Sequence, residues 1–150
     1  MDYAIVYSEA RTSFHLQEVI FVSAEPKTII IVEDEPDTAE MFAEMMRLCG
    51  FQAMKTYGGQ AAINLLSRHK PDAMVLDLMM PDISGLDVIT FVRNDPELRD
   101  VPIVVVSAKS MPADIKFGLD MGASVYLTKP VAYMDLKEAV EQSIRMAVRQ

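Results

Sequence analysis

The feature that most constrains the fold is a regular alternation, from Thr28 onward, of short apolar runs with segments of helical periodicity. The apolar runs are rich in Val and Ile and are bounded by turn residues, as is typical of strands buried on both faces of a parallel sheet. Five such strand–helix units fit between residues 28 and 150. Because strand–helix–strand crossovers are right-handed, the pattern predicts an α/β domain with a doubly wound, five-stranded parallel sheet.

Turn residues and apolar spacing give approximate bounds for these elements. Pro36 and Pro112 suit the first turn of a helix, and Gly50 suits a helix end. We expect strands over 28–32, 51–57, 73–78, 101–106 and 124–127. We expect helices over 36–48, 86–93, 110–121 and 133–148, with one more after Gly58-Gly59. The apolar faces are assigned to Met41, Met45 and Leu48 on the first helix and to Ala61, Ala62, Leu65 and Leu66 on the second.

The N-terminal residues 1–27 do not follow this pattern. The segments 3–7 and 14–22 are rich in residues that favour strands, and residues 8–13 could form a turn between them. A two-stranded hairpin is marginally stable in water unless it docks on something. We therefore treat 1–27 as an N-terminal extension, either a hairpin or an unstructured lead-in, and 28–150 as the folded domain.

Composition excludes several classes of function. The formal net charge of −8 argues against a surface that binds nucleic acid, which needs clustered Lys and Arg. No apolar run approaches the length of a membrane span. Cys49 is the single cysteine, so an internal disulfide or a cysteine-based zinc site is not available, and a cytoplasmic location is the default expectation. His15 and His69 share no metal-ligand spacing.

Charged and hydroxyl side chains follow four of the predicted strands. Glu33 and Asp34 follow the first strand, Asp77 belongs to the third, Ser107 follows the fourth and Lys129 follows the fifth. In open α/β sheets, ligands bind outside the carboxyl ends of the strands. If the strand order is 2-1-3-4-5, as in flavodoxin-like folds, the first and third strands are neighbours, and these side chains converge.

The converging groups favour phosphoryl chemistry. Carboxylates that lie close together repel one another unless a cation joins them, and oxygen-only ligands suit Mg²⁺ better than zinc or copper. The ammonium of Lys129 and the hydroxyl of Ser107 suit a dianionic group placed on or near Asp77. The implied reaction is in-line attack of a carboxylate on a phosphoryl group, which gives an acyl phosphate.

These residues lie in four motifs that resemble the receiver domain of two-component response regulators. The motifs are IIIVEDE, VLDLMMPDISGLD, VVVSAKS and YLTKP, and the match runs from about Thr28 to the C-terminus. The resemblance implies that Asp77 is the phospho-acceptor. It also implies that Mg²⁺ is held by Asp34, Asp77 and the backbone carbonyl of Met79, with Glu33 acting through water.

The resemblance further implies a switch and a set of partners. Ser107 would be the switch hydroxyl, and Tyr126 the switch aromatic that turns inward on phosphorylation. The Lys129–Pro130 peptide would be cis. The phosphoryl donor would be a phosphohistidine on a sensor histidine kinase or a histidine phosphotransfer protein. We expect a chain that catalyses only its own phosphorylation and dephosphorylation and is not otherwise an enzyme.

The output is expected to act on a separate protein. The sequence ends with the last helical pattern, so we expect a downstream target in trans, contacted through the fourth helix, fifth strand and fifth helix of the domain. We expect no direct nucleic-acid or membrane partner. A homodimer remains an alternative. Family members that dimerise on DNA usually carry acidic residues at the start of the fifth strand, where this chain has Ser124-Val125.

Three alternatives compete with the receiver-domain interpretation. The first is a pseudo-receiver, an interaction domain that is not regulated by phosphorylation; it is disfavoured because Asp77 and Lys129 are both present. The second is a Mg²⁺-dependent phosphatase of the dehalogenase type, which needs Asp two positions after the acceptor, where this chain has Met79. The third is a flavin-binding protein, which would need anion-binding loops where this chain carries acids.

Overall fold

The computed structural model describes residues 3–7, 19–23 and 25–148. The strands are β1 Tyr3–Tyr7, β2 Val19–Ser23, β3 Thr28–Val32, β4 Gln52–Thr56, β5 Ala73–Leu76, β6 Ile103–Ser107 and β7 Val125–Thr128. The helices are α1 Pro36–Leu48, α2 Gly59–Leu66, α3 Gly85–Asn94, α4 Pro112–Met121 and α5 Tyr133–Val148. None of the described helices is long and apolar enough to cross a membrane.

Strands β3 to β7 form one parallel sheet in the order β4-β3-β5-β6-β7. Counted from Thr28, this is the order 2-1-3-4-5, so the predicted doubly wound, flavodoxin-like fold is confirmed. Each strand is followed by a helix, which is the arrangement that parallel strands require.

Strands β1 and β2 form a separate two-stranded antiparallel sheet, in which Tyr3 pairs with Ser23 and Tyr7 with Val19. Of the expected second strand, 14–22, the structure describes the part from Val19 onward as strand, and residues 8–18 lie outside the described part of the chain. The boundary between the extension and the domain at residues 27 and 28 stays a prediction.

Two apolar layers cover the two faces of the larger sheet. Alternate residues of β3 and β5 face one layer with α2 and α3 and the other with α1 and α5. The α1/α5 layer buries Phe42, Met46, Leu136, Val140 and Ile144 beneath these two helices. Burial on both faces explains why the strands are continuous apolar runs rather than alternating ones.

The apolar face assigned to α1 is wrong for Met41 and Leu48, whereas Met45 is partly buried against the core as predicted. Met41 and Leu48 are 45% and 74% exposed, whereas Ala39, Phe42, Ala43 and Met46 are buried against the sheet. This helix carries apolar residues around most of its circumference, so spacing alone does not select a face. The two alanines allow the helix to approach the strands closely, which methionines at those positions would prevent.

Smaller differences concern element ends. Strand β5 ends at Leu76, although the Asp77 amide still donates to the Val32 carbonyl at 2.9 Å, so Asp77 lies directly after the strand. In α2, Ala61 is exposed, while Ala62 and Leu66 are buried as predicted. The other predicted bounds agree with the structure to within two residues, the ordinary uncertainty of element ends.

Candidate functional site

The carboxyl ends of the central strands lie side by side and carry the predicted site residues. The Asp77 amide donates to the Val32 carbonyl at 2.9 Å, which joins the ends of β5 and β3. The Lys129 amide donates to the Ser107 carbonyl, also at 2.9 Å, which joins the residue after β7 to the end of β6. Main-chain hydrogen bonds of the sheet therefore fix the spacing of the side chains at this edge.

Three acids form a compact cluster there. Glu33, Asp34 and Asp77 each offer a carboxylate oxygen, and these oxygens all lie within 4.8 Å of one another. Glu33 and Asp77 are only 2% and 6% exposed, and Asp34 is half-buried. Buried carboxylates at this separation repel one another, and oxygen-only donor sets suit Mg²⁺. The residues present therefore fit a divalent cation.

Lys129 supplies a positive charge within the cluster. Its Nζ atom lies 3.0 Å from Oε2 of Glu33 and 3.2 Å from Oδ2 of Asp77. Partial burial works against the ammonium form, but hydrogen bonds and charge interactions with Glu33 and Asp77 outweigh it and raise the pKa of Lys129. The side chain is 26% exposed, so Lys129 is partly buried beside the acids and remains protonated.

Glu33 binds a proton more tightly than a solvent-exposed glutamate does. Burial raises its pKa from 4.5 to about 7; the hydrogen bond from Lys129 opposes that rise, and the neighbouring Asp77 adds to it. Near neutral pH the carboxyl group of Glu33 is therefore divided between its charged and neutral forms in the metal-free chain.

The loop after β5 folds tightly around the acceptor carboxylate. The Met79 amide donates to Oδ1 of Asp77 at 3.1 Å, and the Gly85 amide donates to the Leu78 carbonyl at 3.0 Å. A Cβ atom on Gly85 would lie 2.4 Å from the carbonyl oxygen of Asp77, so only glycine permits this approach of α3. The backbone around Met79 is thus held from both sides.

Two hydrogen bonds connect the pocket to the α4/β7 side of the domain. Ser107 is fully buried, and its Oγ accepts from the Lys109 amide at 3.2 Å. Tyr126 is half-buried, and its hydroxyl donates to the Lys109 carbonyl at 2.8 Å. Its ring lies against α4, where a Cβ atom on Gly118 would be 2.8 Å from two ring carbons. The Lys129–Pro130 peptide is cis, as the resemblance implies.

Sequence reasoning missed one polar residue of this region, Asp82. Its carboxylate accepts from the amides of Gly59 and Gln60 at 3.1 and 3.0 Å, at the start of α2. These amides lower the pKa of Asp82, with the Gln60 amide contributing most. The sequence placed Asp82 in a turn after Met80-Pro81, and nothing local indicates a partner that lies 22 or 23 residues earlier.

Comparison with known proteins agrees with this geometry. The sequence profile of the response regulator receiver domain family matches residues 29–141. The polar-differentiation response regulator DivK of Brucella anthropi is 30% identical over 116 residues, which cover 77% of this chain and 94% of that protein.

Solved structures give the same result. A sensor protein from Polaromonas sp. JS666 is 30% identical, with a TM-score of 0.76, and the match covers 83% of this chain and 99% of that one. The receiver domain of a sensor histidine kinase from Pseudomonas aeruginosa PAO1, solved with magnesium coordinated in its active site cleft, is 26% identical, with a TM-score of 0.75 and coverages of 81% and 99%. The chain therefore belongs to the response regulator receiver domain family.

Proposed function

We propose that the chain is a phosphorylation-switched receiver domain of a two-component phosphorelay, in which Asp77 accepts a phosphoryl group from a phosphohistidine donor. One observation carries the proposal. The carboxylate of Asp77 is buried at the end of a central strand between two further acids, Glu33 and Asp34, and the Lys129 ammonium, whose Nζ lies 3.2 Å away. Packing alone does not account for three acids and a lysine at one strand edge.

In the proposed step a carboxylate oxygen of Asp77 attacks the phosphorus atom of the donor. An O–P bond forms while the P–N bond to the donor imidazole breaks, and the electron pair of that bond stays on the imidazole nitrogen. Nothing is oxidised or reduced. Lys129, already 3.2 Å from Oδ2 of Asp77, would then pair with the new phosphoryl oxygens and offset their charge.

The acidic cluster supports a magnesium requirement. Asp34, Asp77 and the backbone carbonyl of Met79 would hold the ion, and Glu33 would act through a bound water. When bound, the ion would reduce the repulsion between the carboxylates and the incoming phosphoryl oxygens. The tight loop between Leu78 and Gly85 keeps the Met79 backbone in a fixed position beside Asp77.

The signal would leave through the face formed by α4, β7 and α5. In the structure the Ser107 Oγ accepts from the Lys109 amide, which leaves its O–H proton to donate to a phosphoryl oxygen. A shift of Ser107 would move the backbone of Lys109, and with it the carbonyl that holds Tyr126. Phe117 and Leu119 on α4 are exposed apolar residues that a partner protein could cover.

The relay requires two kinds of partner, a phosphohistidine donor and a downstream target in trans. The donor would be a sensor histidine kinase or a histidine phosphotransfer protein. The chain would catalyse only its own phosphorylation and dephosphorylation, so it acts as a signalling acceptor and not as an enzyme on another substrate. We expect this exchange in the cytoplasm and do not expect a direct nucleic-acid or membrane partner.

Labelling with a small acyl phosphate tests the proposal. The folded chain, mixed with acetyl phosphate and Mg²⁺, should gain the mass of a single phosphoryl group, and Asp77→Asn should gain none. Asp72→Asn is the matched control, because it makes the same change at the opposite edge of the sheet, where Asp72 accepts from the Thr28 amide. A folded native chain that never gains a phosphoryl group would favour the pseudo-receiver alternative.

A further inference from the structure

The loop that follows Asp77 is attached to a second loop on the other side of β3. Oδ1 of Asp82 accepts from the Gly59 amide at 3.1 Å, and Oδ2 accepts from the Gln60 amide at 3.0 Å. Gly58, the residue before α2, has no side chain that could cap the helix. One carboxylate from the β5–α3 loop therefore satisfies two amides that α2 would otherwise leave free.

The close approach of the two loops depends on Gly58 and Gly59. A Cβ atom on Gly58 would lie 3.0 Å from Oδ2 of Asp82, and one on Gly59 would lie 2.6 Å from the Ile83 carbonyl oxygen. The contact at Gly59 involves a backbone atom, so a side chain at this position would push the β5–α3 loop away from α2. The Gly58-Gly59 pair therefore lets the β5–α3 loop lie directly on the start of α2.

The attachment spans the end of the strand that carries two of the acids. Strand β3 lies between β4 and β5, so the loops after β4 and β5 flank Glu33 and Asp34. The Glu33 amide itself donates to the Thr56 carbonyl at 3.1 Å, at the end of β4. The Asp82 contact therefore links the loops after β4 and β5, which lie on either side of the strand end that carries Glu33 and Asp34.

The same contact restrains the backbone of Met79. Met79 lies between Leu78, which is buried and bonded to the Gly85 amide, and Asp82, which is bonded to α2. Without the Asp82 contact, the segment from Met79 onward would lose its polar attachment to α2. Carbonyl ligands bind a cation well only when their backbone is already held in place.

We infer that Asp82 is a positioning residue for the cation site: by attaching the β5–α3 loop to α2, it holds the Met79 carbonyl in the geometry that Mg²⁺ requires. The inference rests on the proposed function, because it takes that carbonyl as a ligand. Asp82 would not itself touch the ion, and its effect would be exerted through the loop.

Magnesium affinity of three variants tests the inference. Backbone amide shifts titrated with Mg²⁺ give the dissociation constant, and thermal melting checks that each variant is folded. Asp82→Ala should weaken binding roughly tenfold, the lower end of the effect of residues that orient ligands. Asp82→Asn removes the charge and keeps only one of the two acceptor oxygens, so its affinity should lie between those of Asp82→Ala and the native chain. Asp72→Ala, which loses an exposed carboxylate at the far edge, should bind normally.

The outcomes separate this inference from the proposed function. If Asp34→Ala weakens binding and Asp82→Ala does not, the positioning role is wrong and the metal site stands. If Asp82→Asn binds as weakly as Asp82→Ala, the retained oxygen does not help to hold the loop, and the positioning role is also wrong. If Asp34→Ala leaves the affinity unchanged, the metal site of the proposed function lies elsewhere. Should Asp82→Ala fail to fold, Asp82→Asn and Asp82→Ser carry the comparison.

Discussion

Lys129 contacts Asp77 across 52 residues of sequence, with Nζ 3.2 Å from Oδ2, and contacts Glu33 at 3.0 Å with the same ammonium group. One cation thus serves two nearly buried carboxylates. The arrangement makes the pocket sensitive to anything that removes the lysine, changes the protonation of Glu33 or adds charge at Asp77.

Removal of the lysine should therefore destabilise the chain in a pH-dependent way. Lys129→Met leaves Glu33 and Asp77 without their cation, and we expect a loss of about 1–3 kcal/mol in the free energy of unfolding at pH 8, less than for a fully buried pair. The loss should be smaller at pH 6, where Glu33 can bind a proton instead. Urea unfolding at both pH values measures it.

The control for this variant is Lys116→Met, which breaks the exposed pair with Asp120 on α4. It should change the stability little at either pH, because exposed ion pairs contribute little. Equal losses for the two lysine variants would contradict the account of the pocket.

Glu33 should couple magnesium binding to proton release. Its raised pKa of about 7 means that in the metal-free chain the folded state binds a proton more tightly than the unfolded state does between pH 4.5 and about 7, so this group's contribution to stability falls as pH rises through that window. Mg²⁺ favours the charged carboxylate. The apparent affinity for Mg²⁺ should consequently rise between pH 6 and pH 8.

Calorimetry in two buffers with different ionisation enthalpies measures the protons released on magnesium binding. Near pH 7 we expect a fraction of a proton for the native chain and markedly less for Glu33→Gln. Proton release that is unchanged in Glu33→Gln would assign the titration to another group.

Gly118 should control the position of the Tyr126 ring. Gly118→Ala would place a Cβ atom 2.8 Å from two ring carbons, so the ring must move and the hydrogen bond to the Lys109 carbonyl should be lost. The steric cost of about 1–3 kcal/mol is partly offset by the gain of about 1 kcal/mol from alanine in a helix. Proton NMR contacts between the Tyr126 ring and α4 report its position.

Lys116→Ala on the same helix is the control for Gly118→Ala, because it changes an exposed residue and should leave the ring in place. An unmoved ring in Gly118→Ala would show that α4 shifts instead of Tyr126.

The N-terminal extension should be dispensable for the fold. Among residues whose burial the structure describes, from Glu25 to Val148, both apolar layers of the larger sheet are formed by Ile29 and later residues. A chain lacking residues 1–24 should unfold cooperatively, with a melting temperature within about 5 °C of the native value, a shift that corresponds to about 1 kcal/mol. Loss of cooperative unfolding on truncation would place the extension within the core and contradict the domain boundary.

The sequence allowed the fold and the charged cluster to be predicted because both follow from topology. Parallel strands with intervening helices bring all carboxyl ends to one edge, so residues such as Asp77 and Lys129 meet however far apart they lie in sequence. From Thr28 onward, local turn chemistry and the helix-initiating residues Pro36 and Pro112 predicted the element bounds to within two residues.

Features that depend on packing between distant segments could not be predicted in this way. The buried face of α1 depends on the small volumes of Ala39 and Ala43, which periodicity does not weigh. The contact of Asp82 with α2 depends on how close the loops after β4 and β5 lie to each other. The position of the Tyr126 ring depends on the absence of a Cβ atom at Gly118.

The most direct test of the central claim is to locate the phosphoryl group chemically. An acyl phosphate is reduced by borohydride to an alcohol, so treatment after phosphorylation converts the modified aspartate into homoserine, which peptide mass spectrometry can locate. We predict that the conversion to homoserine occurs at position 77 and requires Mg²⁺. We also predict that a smaller fraction of the chain is converted in Asp34→Ala. Conversion at Asp34 or Asp82 instead, or a phosphorylated chain with no homoserine at position 77, would contradict the assignment of Asp77 as the acceptor.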